Sequence, residues 1–270
     1  MSSVDTAFTG SVAQFYERYM VPLIFEPYAV DLARRVAQAA PRRVLELAAG
    51  TGVVTRQLAV MLDPSVDIVA TDLNPAMIQE AERIGSARPV QWRQADAMQL
   101  PFENGAFDAV ACQFGVMFFP DKQRAFAEAR RVLRPGGLLA FNAWGAIAAN
   151  EFAEAVTHAL ATVFPQDPPR FMARTPHGYH DASRIAQDLA AAGFTSAPAI
   201  DTVAFTSRAV SPRIAALAYC EGTPLRGEIE ARDPGGLERA TAAAEAELAR
   251  RFGSGPIEGR IEALVVTVSG

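Results

Sequence analysis

From residue 43 onward, short apolar runs alternate with segments in which apolar residues recur every three or four positions, the pattern of strands alternating with helices. The runs near 43–48, 67–72, 90–95, 107–113 and 137–143 are rich in Val, Leu, Ile and Ala, as strands covered on both faces are. After the first of them, Val54, Leu58 and Leu62 fall at a spacing of four and give a helix one apolar stripe. "NPAMIQEAERIG" carries its own punctuation: Asn74 as N-cap, Pro75 in the first turn and Gly85 as the stop. "DKQRAFAEARRVLRPGG" reads as a third helix, ended by a Pro-Gly turn in which Gly136 takes φ > 0. Alternation of this kind predicts an α/β, doubly wound parallel sheet with helices on both faces.

The flanks read differently. Ahead of the first strand, residues 1–40 form a lead that is helical, Ala-rich and studded with aromatics over 11–40, broken at Pro22 and Pro27, and serving as a lid or as extra cover. After the fifth strand, "VFPQDPPRFMARTPHGYH" (163–180) reads as a proline-rich loop. "DASRIAQDLAAAGF" then gives a helix stopped by Gly193, and "TSAPAIDTVAFTS" a strand. A helical insertion spans about 211–252, interrupted at "EGTPLRGEIEARDPGG", and "RIEALVVTVS" closes the chain as a last strand. The expectation is one domain with a core at 41–145, a substrate-side region at 146–270, and helical embellishments at both ends.

Composition narrows the function classes. The chain has 270 residues, half of them hydrophobic and a fifth charged, with a formal net charge of −5. The charges are scattered and no long basic run exists, so the footprint needed to follow a phosphate backbone is missing and nucleic acid is not an expected partner. Cys112 and Cys220 lie far apart, outside any metal or redox spacing, which points to no metal and to a reduced, cytoplasmic setting. The N-terminus lacks the layout of a signal peptide, and no run approaches the ~20 apolar residues of a membrane span. Monomer and homodimer fit equally well.

Ligands of doubly wound sheets sit beyond the carboxyl ends of the strands. The first strand leads straight into "AAGTG", where Gly50 and Gly52 let the backbone turn tightly and approach a ligand. Glu46 lies inside this otherwise apolar strand, and a buried carboxylate needs partners, either loop amides in an internal network or a ligand's ammonium group. Asp72 ends the second strand, about 20 residues past the glycines, where an acid accepts from both hydroxyls of a ribose. Asn74 and Pro75 already fill the cap positions beside it. Asp96, ending the third strand, is placed for a purine's exocyclic amine or for an Asx-turn.

In order and spacing, "VLELAAGTG", "ATDLNPAMIQEA", "RQADAMQLPFENGAFDAVACQF" and "EARRVLRPGGLLAFNAW" resemble the class I S-adenosylmethionine-dependent methyltransferases, particularly the bacterial small-molecule branch (type 11) that includes quinone C-methyltransferases. The resemblance covers residues 40–145. It implies a Rossmann-like methyltransferase fold with a seven-stranded sheet whose last strand runs antiparallel, and S-adenosylmethionine as cofactor with S-adenosylhomocysteine as product. It places Glu46, Ala48 and Gly50 around the methionine moiety, Asp72 on the ribose, and Leu73 and Met77 against the adenosine. Asp96 and Ala97 meet the adenine, and Gln113 and Phe114 line the floor. Ala48 departs from the family, many of whose members have glycine there. Asp108 in "FDAV" also matches, but an Asp opening a strand is read as structural, and Trp92 and Trp144 as packing aromatics.

Methyl transfer from a sulfonium needs alignment more than a base. If the acceptor is a phenol or an acidic carbon, His177, Tyr179 and His180 in "TPHGYHD" are the candidates for proton removal, against a reading as structural loop residues. Acceptor contacts are expected outside the shared core: Tyr16, Tyr19 and Phe25 in the lead, Phe118 and Phe119 after the fourth strand, Phe171 in the proline-rich loop, and Arg226. Their aromatic weighting favours an apolar or aromatic small molecule. Two rivals stand beside this reading. One is a nicotinamide-dependent oxidoreductase, which lacks its third glycine at Thr55. The other is a non-catalytic cofactor-binding module.

Overall fold

The computed structural model describes residues 11–270. In chain order its elements are α1 (Ser11–Phe15), a π-helical stretch (Tyr16–Phe25), α2 (Glu26–Gln38), β1 (Arg43–Glu46), α3 (Val53–Met61), β2 (Asp67–Asp72), α4 (Pro75–Ile84), β3 (Gln91–Gln94) and β4 (Phe107–Gln113). There follow α5 (Lys122–Val132), β5 (Leu133–Trp144), α6 (Glu151–Val163), α7 (Phe171–Arg174), α8 (Ala182–Ala191), β6 (Ala199–Ala209), α9 (Pro212–Glu221), α10 (Leu225–Arg232), α11 (Leu237–Phe252) and β7 (Ile257–Ser269).

Local chemistry sets several boundaries. Asn74 caps α4 by accepting from the Ala76 N–H at 2.9 Å, and α4 ends at Gly85, φ 80°. Asp121 caps α5 through the Arg124 N–H, and Asp181 caps α8 through Ser183 and Arg184. Gly136 has φ 74°, but its Pro-Gly segment lies inside β5. Phe107 pairs with Leu133 and Ala109 with Leu138, so the intervening residues bulge from the ladder.

Three expectations are corrected. Residues 11–38 remain helical through Pro22 and Pro27, because the wide turns of the π-helical stretch realign the backbone ladder and each proline removes one bond without ending the run. The expected interruption of the insertion contains α10, in which Leu225 and Ile229 supply a buried apolar pair at a spacing of four. The proline-rich segment does not follow β5 directly. Helix α6 intervenes, and the segment contains α7, anchored where the Glu228 carboxylate accepts from the Arg170 and Phe171 N–H groups.

The seven strands form one sheet in the order β3-β2-β1-β4-β5-β7-β6. The first five are parallel, with Glu46 opposite Ala70 and Ala111, Asp72 opposite Gln94, and Gln113 opposite Asn142. Strand β7 runs antiparallel to β5: Gly270 donates to Gly137 O at 2.8 Å, while Gly145 donates to Glu262 O at 2.9 Å, so the partners fall as β5 advances. Strand order reverses between β1 and β4, which places the crevice of a doubly wound sheet at their carboxyl ends. Because side chains alternate along a strand, this register puts Glu46, Asp72, Gln113 and Asn142 on one face at the carboxyl ends of neighbouring strands.

The chain divides into two compact units. One comprises residues 26–143, 179–203 and 263–270 and has Leu45, Phe107, Phe126, Leu139 and Phe141 in its core. The described part of the other comprises residues 11–25, 144–178 and 204–262; there α11 packs on α9 and α6, and Phe152, Phe171 and Tyr219 are fully buried. Among the described residues, no helix is long and apolar enough to cross a membrane.

Candidate active site

Glu46 is 1% exposed. Thr55, on the first turns of α3, donates its hydroxyl to Oε2 at 2.5 Å, and Thr71 holds the Glu46 backbone carbonyl at 2.8 Å. Oε1 accepts no hydrogen bond among the described residues. Burial pushes the carboxyl up to about 8. The Thr55 hydroxyl and the Arg56 charge pull against that shift, and the Asp72 charge adds to it. The side chain is therefore largely neutral at pH 7, and a cation placed beside Oε1 would ionise it.

The loop after Glu46 carries backbone strain. Ala48, Gly50 and Gly52 all have positive φ, at 51°, 57° and 83°. Gly52 is required twice over, since a Cβ there would also lie 2.7 Å from the Trp92 ring. Ala48 has no such freedom, and the left-handed conformation costs an L-residue roughly 1–2 kcal/mol. Phe114, just past β4, also has positive φ, at 49°. Both lie at the carboxyl ends of adjacent strands, where strain marks functional ground. The Ala48 methyl fits because residue 115 is glycine: a Cβ on Gly115 would lie 2.5 Å from the Ala48 Cβ and 2.7 Å from the Cys112 Sγ.

Asp72 accepts from the Gly50 N–H through Oδ2 and from the Asn74 N–H through Oδ1, both at 2.8 Å. Burial raises its pKa, and these N–H bonds offset part of the rise. A carboxylate has about four acceptor positions, so the two backbone bonds fix Asp72 without exhausting it. Leu73 beside it is 55% exposed, while Met77 is buried in α4. Asp96 uses Oδ1 in an Asx-turn with the Met98 N–H at 2.8 Å, next to half-buried Ala97. Gln113 and Phe114 are buried, and the Phe114 ring meets the Tyr28 ring edge-on at 5.2 Å.

Two polar side chains escaped sequence reasoning. Among the described residues, the Thr51 hydroxyl and both polar atoms of the Asn142 amide are buried without a hydrogen-bond partner, a state that costs about 1–3 kcal/mol per group. Asn142 had the same sequence signal as Glu46, a polar residue inside an apolar strand ("LLAFNAW"). Thr55 gave no signal, because its pairing with Glu46 depends on how α3 lies on the sheet. Asp108 is structural: it accepts from the Arg42 and Arg43 N–H groups at 2.8 Å each and pairs with Arg134 at 2.7 Å.

The proton-removal candidates sit in different settings. In the second unit, His177 is 4% exposed and its Nδ1 lies 2.9 Å from Gly145 O. A carbonyl only accepts, so this contact assigns the proton of a neutral ring to Nδ1 and the basic lone pair to Nε2. Tyr179, in the sheet unit, donates to Asp188 at 2.9 Å and lies beneath the Lys122 ammonium, 5.0 Å from the ring centre. Burial and the Asp188 carboxylate push its phenol well above the usual range. His180 is exposed.

Within the second unit, an aromatic series runs from Tyr16 to Phe25 (5.1 Å), from Phe25 to Trp144 (5.9 Å) and from Trp144 to His177 (6.0 Å). Tyr19 packs on Phe15 and beneath the Arg18 guanidinium. Phe171 is in the core, and Arg226 pairs with Glu230 along α10 at 2.8 Å. In the sheet unit, Phe118 is half-buried and Phe119 buried. Among the described residues, no group of three or more His, Cys, Asp or Glu is placed to hold a metal.

Residues 45–141 match the family described as "Methyltransferase domain". A demethylmenaquinone methyltransferase of Thermus thermophilus is 46% identical over 116 residues, covering 41% of this chain and 50% of that protein. The chain spans half or less of the length of the curated relatives it matches first. Phosphoethanolamine N-methyltransferase 2 of Haemonchus contortus, solved with phosphomonomethylethanolamine and S-adenosylhomocysteine, superposes with a TM-score of 0.60 at 17% identity, covering 99% of this chain and 60% of that one. The [4+2]-cyclase SpnF superposes with a TM-score of 0.54 at 19% identity, covering 90% and 80%. At these identities the likeness is one of fold.

Proposed function

Because residues 45–141 form a class I methyltransferase domain, whose cofactor is S-adenosylmethionine, we propose that the whole protein transfers a methyl group from S-adenosylmethionine to a small apolar or aromatic acceptor. The observation that carries the reading is the pair of acids at the ends of β1 and β2, buried Glu46 and half-buried Asp72, with the left-handed glycine loop that follows Glu46 donating its Gly50 N–H to Asp72. These residues fit the cofactor. Glu46 keeps Oε1 for the methionine ammonium, and Asp72, fixed by Gly50 and Asn74, turns its remaining acceptor positions to the ribose hydroxyls. Ala48 and Gly50 let the backbone pass close to the methionine moiety. Leu73 and Met77 flank the adenosine, Asp96 and Ala97 take the adenine edge, and Gln113 and Phe114 form the floor.

The bound cofactor supplies an electrophilic methyl group, so the chain's work is to hold and orient the acceptor. His177 stands as the candidate base should the acceptor be acidic, and we assign no proton transfer to Tyr179, which is engaged as a donor. The name of the Thermus relative adds the quinone class as the first group to try. The two buried thiols, Cys112 and Cys220, neither in a disulfide, suit a reduced cytoplasm.

The test is titration calorimetry with S-adenosylmethionine, S-adenosylhomocysteine and NADH, on the parent and on Asp72→Ala, followed by assay of S-adenosylhomocysteine release with phenols and reduced quinones. Binding of the first two ligands, at least tenfold weaker in Asp72→Ala, with no NADH binding, supports the proposal. A folded parent that binds neither sulfonium nor product overturns it. Tight binding without product from any acceptor favours a non-catalytic module.

A further inference from the structure

Asn142, two residues before the end of β5, lies on the face that carries Glu46, Asp72 and Gln113, and both polar atoms of its carboxamide are buried with no partner among the described residues. Its backbone is fully used, since the Asn142 carbonyl accepts from the Phe114 N–H at 3.2 Å. The side chain therefore contributes nothing to the ladder, and a leucine would fill the same apolar strand without an unmet amide. A bound molecule that met both atoms would recover the cost of about 1–3 kcal/mol per unmet group. The adenine end of the cofactor does not reach it: strands lie about 4.8 Å apart, so Asn142 is about 19 Å from the end of β3, where the adenine is assigned, and one strand beyond Gln113, assigned to the cofactor's floor. A residue on the far side of that floor is placed toward the acceptor rather than the adenosine.

We propose that Asn142 is a specificity-determining residue for the methyl acceptor, recognising an aromatic compound that presents a hydroxyl beside a second oxygen. This rests on the methyl-transfer reading and narrows its substrate class. An amide offers an acceptor, Oδ1, and a donor, Nδ2, side by side on one edge. A lone phenol meets one of them and leaves the other unpaired, whereas neighbouring oxygens, one bearing hydrogen, meet both. Oδ1 accepts from the hydroxyl and Nδ2 donates to the second oxygen. The ring of Phe114, whose backbone N–H bonds the Asn142 carbonyl, suits a flat ring over an extended polar chain.

The experiment compares the parent, Asn142→Leu and Asn142→Ala, the last retained in case leucine overpacks the site. Each is titrated with S-adenosylhomocysteine, and then, saturated with it, with the pairs catechol and phenol and 2-hydroxy-1,4-naphthoquinone and 1,4-naphthoquinone. The parent is expected to prefer the two-oxygen member of each pair at least tenfold. The variants are expected to lose that preference to within twofold, keep S-adenosylhomocysteine affinity within twofold, and melt no lower than the parent without ligand. A parent without the preference, or variants that retain it, overturn the proposal. So does a tenfold loss of S-adenosylhomocysteine affinity, which would assign the amide to the cofactor. Failure of the parent to bind S-adenosylhomocysteine at all would instead sink the methyl-transfer reading.

Discussion

At the scale of single residues, Glu46 ties stability to binding. Its folded pKa of about 8 lies above the ordinary 4.5, so the folded state holds a proton that the unfolded chain gives up. The stability linked to that proton is complete below about pH 4.5 and is lost as the pH rises towards 8. Glu46→Gln keeps a partner for Thr55 and removes the charge. Its stability relative to the parent is expected to grow from acid to neutral pH, by on the order of a few kcal/mol, in urea denaturation at several pH values. Binding has the opposite sign. Bringing the cofactor's ammonium to Glu46 ionises it, so titration near neutrality in buffers of different ionisation enthalpy should show proton release in the parent and none in Glu46→Gln, with affinity at least tenfold weaker. Equal affinity would remove Glu46 from the site. Ala48 gives a second prediction. Ala48→Gly relieves a left-handed alanine and should add about 1 kcal/mol, whereas Gly115→Ala drives a methyl into Ala48 and should cost about 1–3 kcal/mol, less when both changes are combined. Glu46 and Asp72 were legible in the sequence because a charge among apolar neighbours needs an explanation on its own. Thr55 and Gly115 were not, because each matters only through a contact that the folded backbone creates.

At the scale of elements, what the sequence disclosed is what local chemistry decides. The Asn74–Pro75 start and Gly85 stop of α4 needed no tertiary information. The helical run through Pro22 and the helix α10 did, since a π-helical stretch is held by packing, and α10 exists because Leu225 and Ile229 find cover. Asp108 shows the same division within a family motif. Its carboxylate ties the start of β1 to β4 through the Arg42 and Arg43 N–H groups and pairs with Arg134. Charge-assisted bonds to a largely buried carboxylate contribute about 1.5–3 kcal/mol each, and Asp108→Ala is expected to lower the unfolding free energy by about that of one such bond or more. Its folded fraction should bind S-adenosylhomocysteine as the parent does. A tenfold loss of affinity with stability unchanged would move Asp108 from the scaffold to the site.

For the whole molecule, alternation along the chain disclosed the doubly wound sheet, but not the division into two units, which assembles segments distant in sequence. The same distributed character governs the response to pH. Glu247 is drawn down to about 2 by Arg250 and Arg251, and Glu80, Glu128 and Asp188 are also held low by hydrogen bonds and arginine charges. These groups contribute stability above the ordinary carboxylate range and lose it as the pH falls through their lowered values. Glu46 and Asp72, both raised by burial, act from the other side, and their contribution fades as the pH climbs. The opposed sets place the stability maximum of the ligand-free protein on the acid side of neutrality, near the upper end of the ordinary carboxylate range. A ligand that places an ammonium on Glu46 removes the alkaline decline. Melting temperatures measured from acid to mildly alkaline pH should therefore peak nearer neutrality with S-adenosylhomocysteine than without it. At a hundredfold excess over its dissociation constant, the ligand also adds about 2.7 kcal/mol of linkage. A uniform rise with no change in the shape of the profile would mean that the ligand binds away from Glu46, since only contact with a titrating group bends the curve.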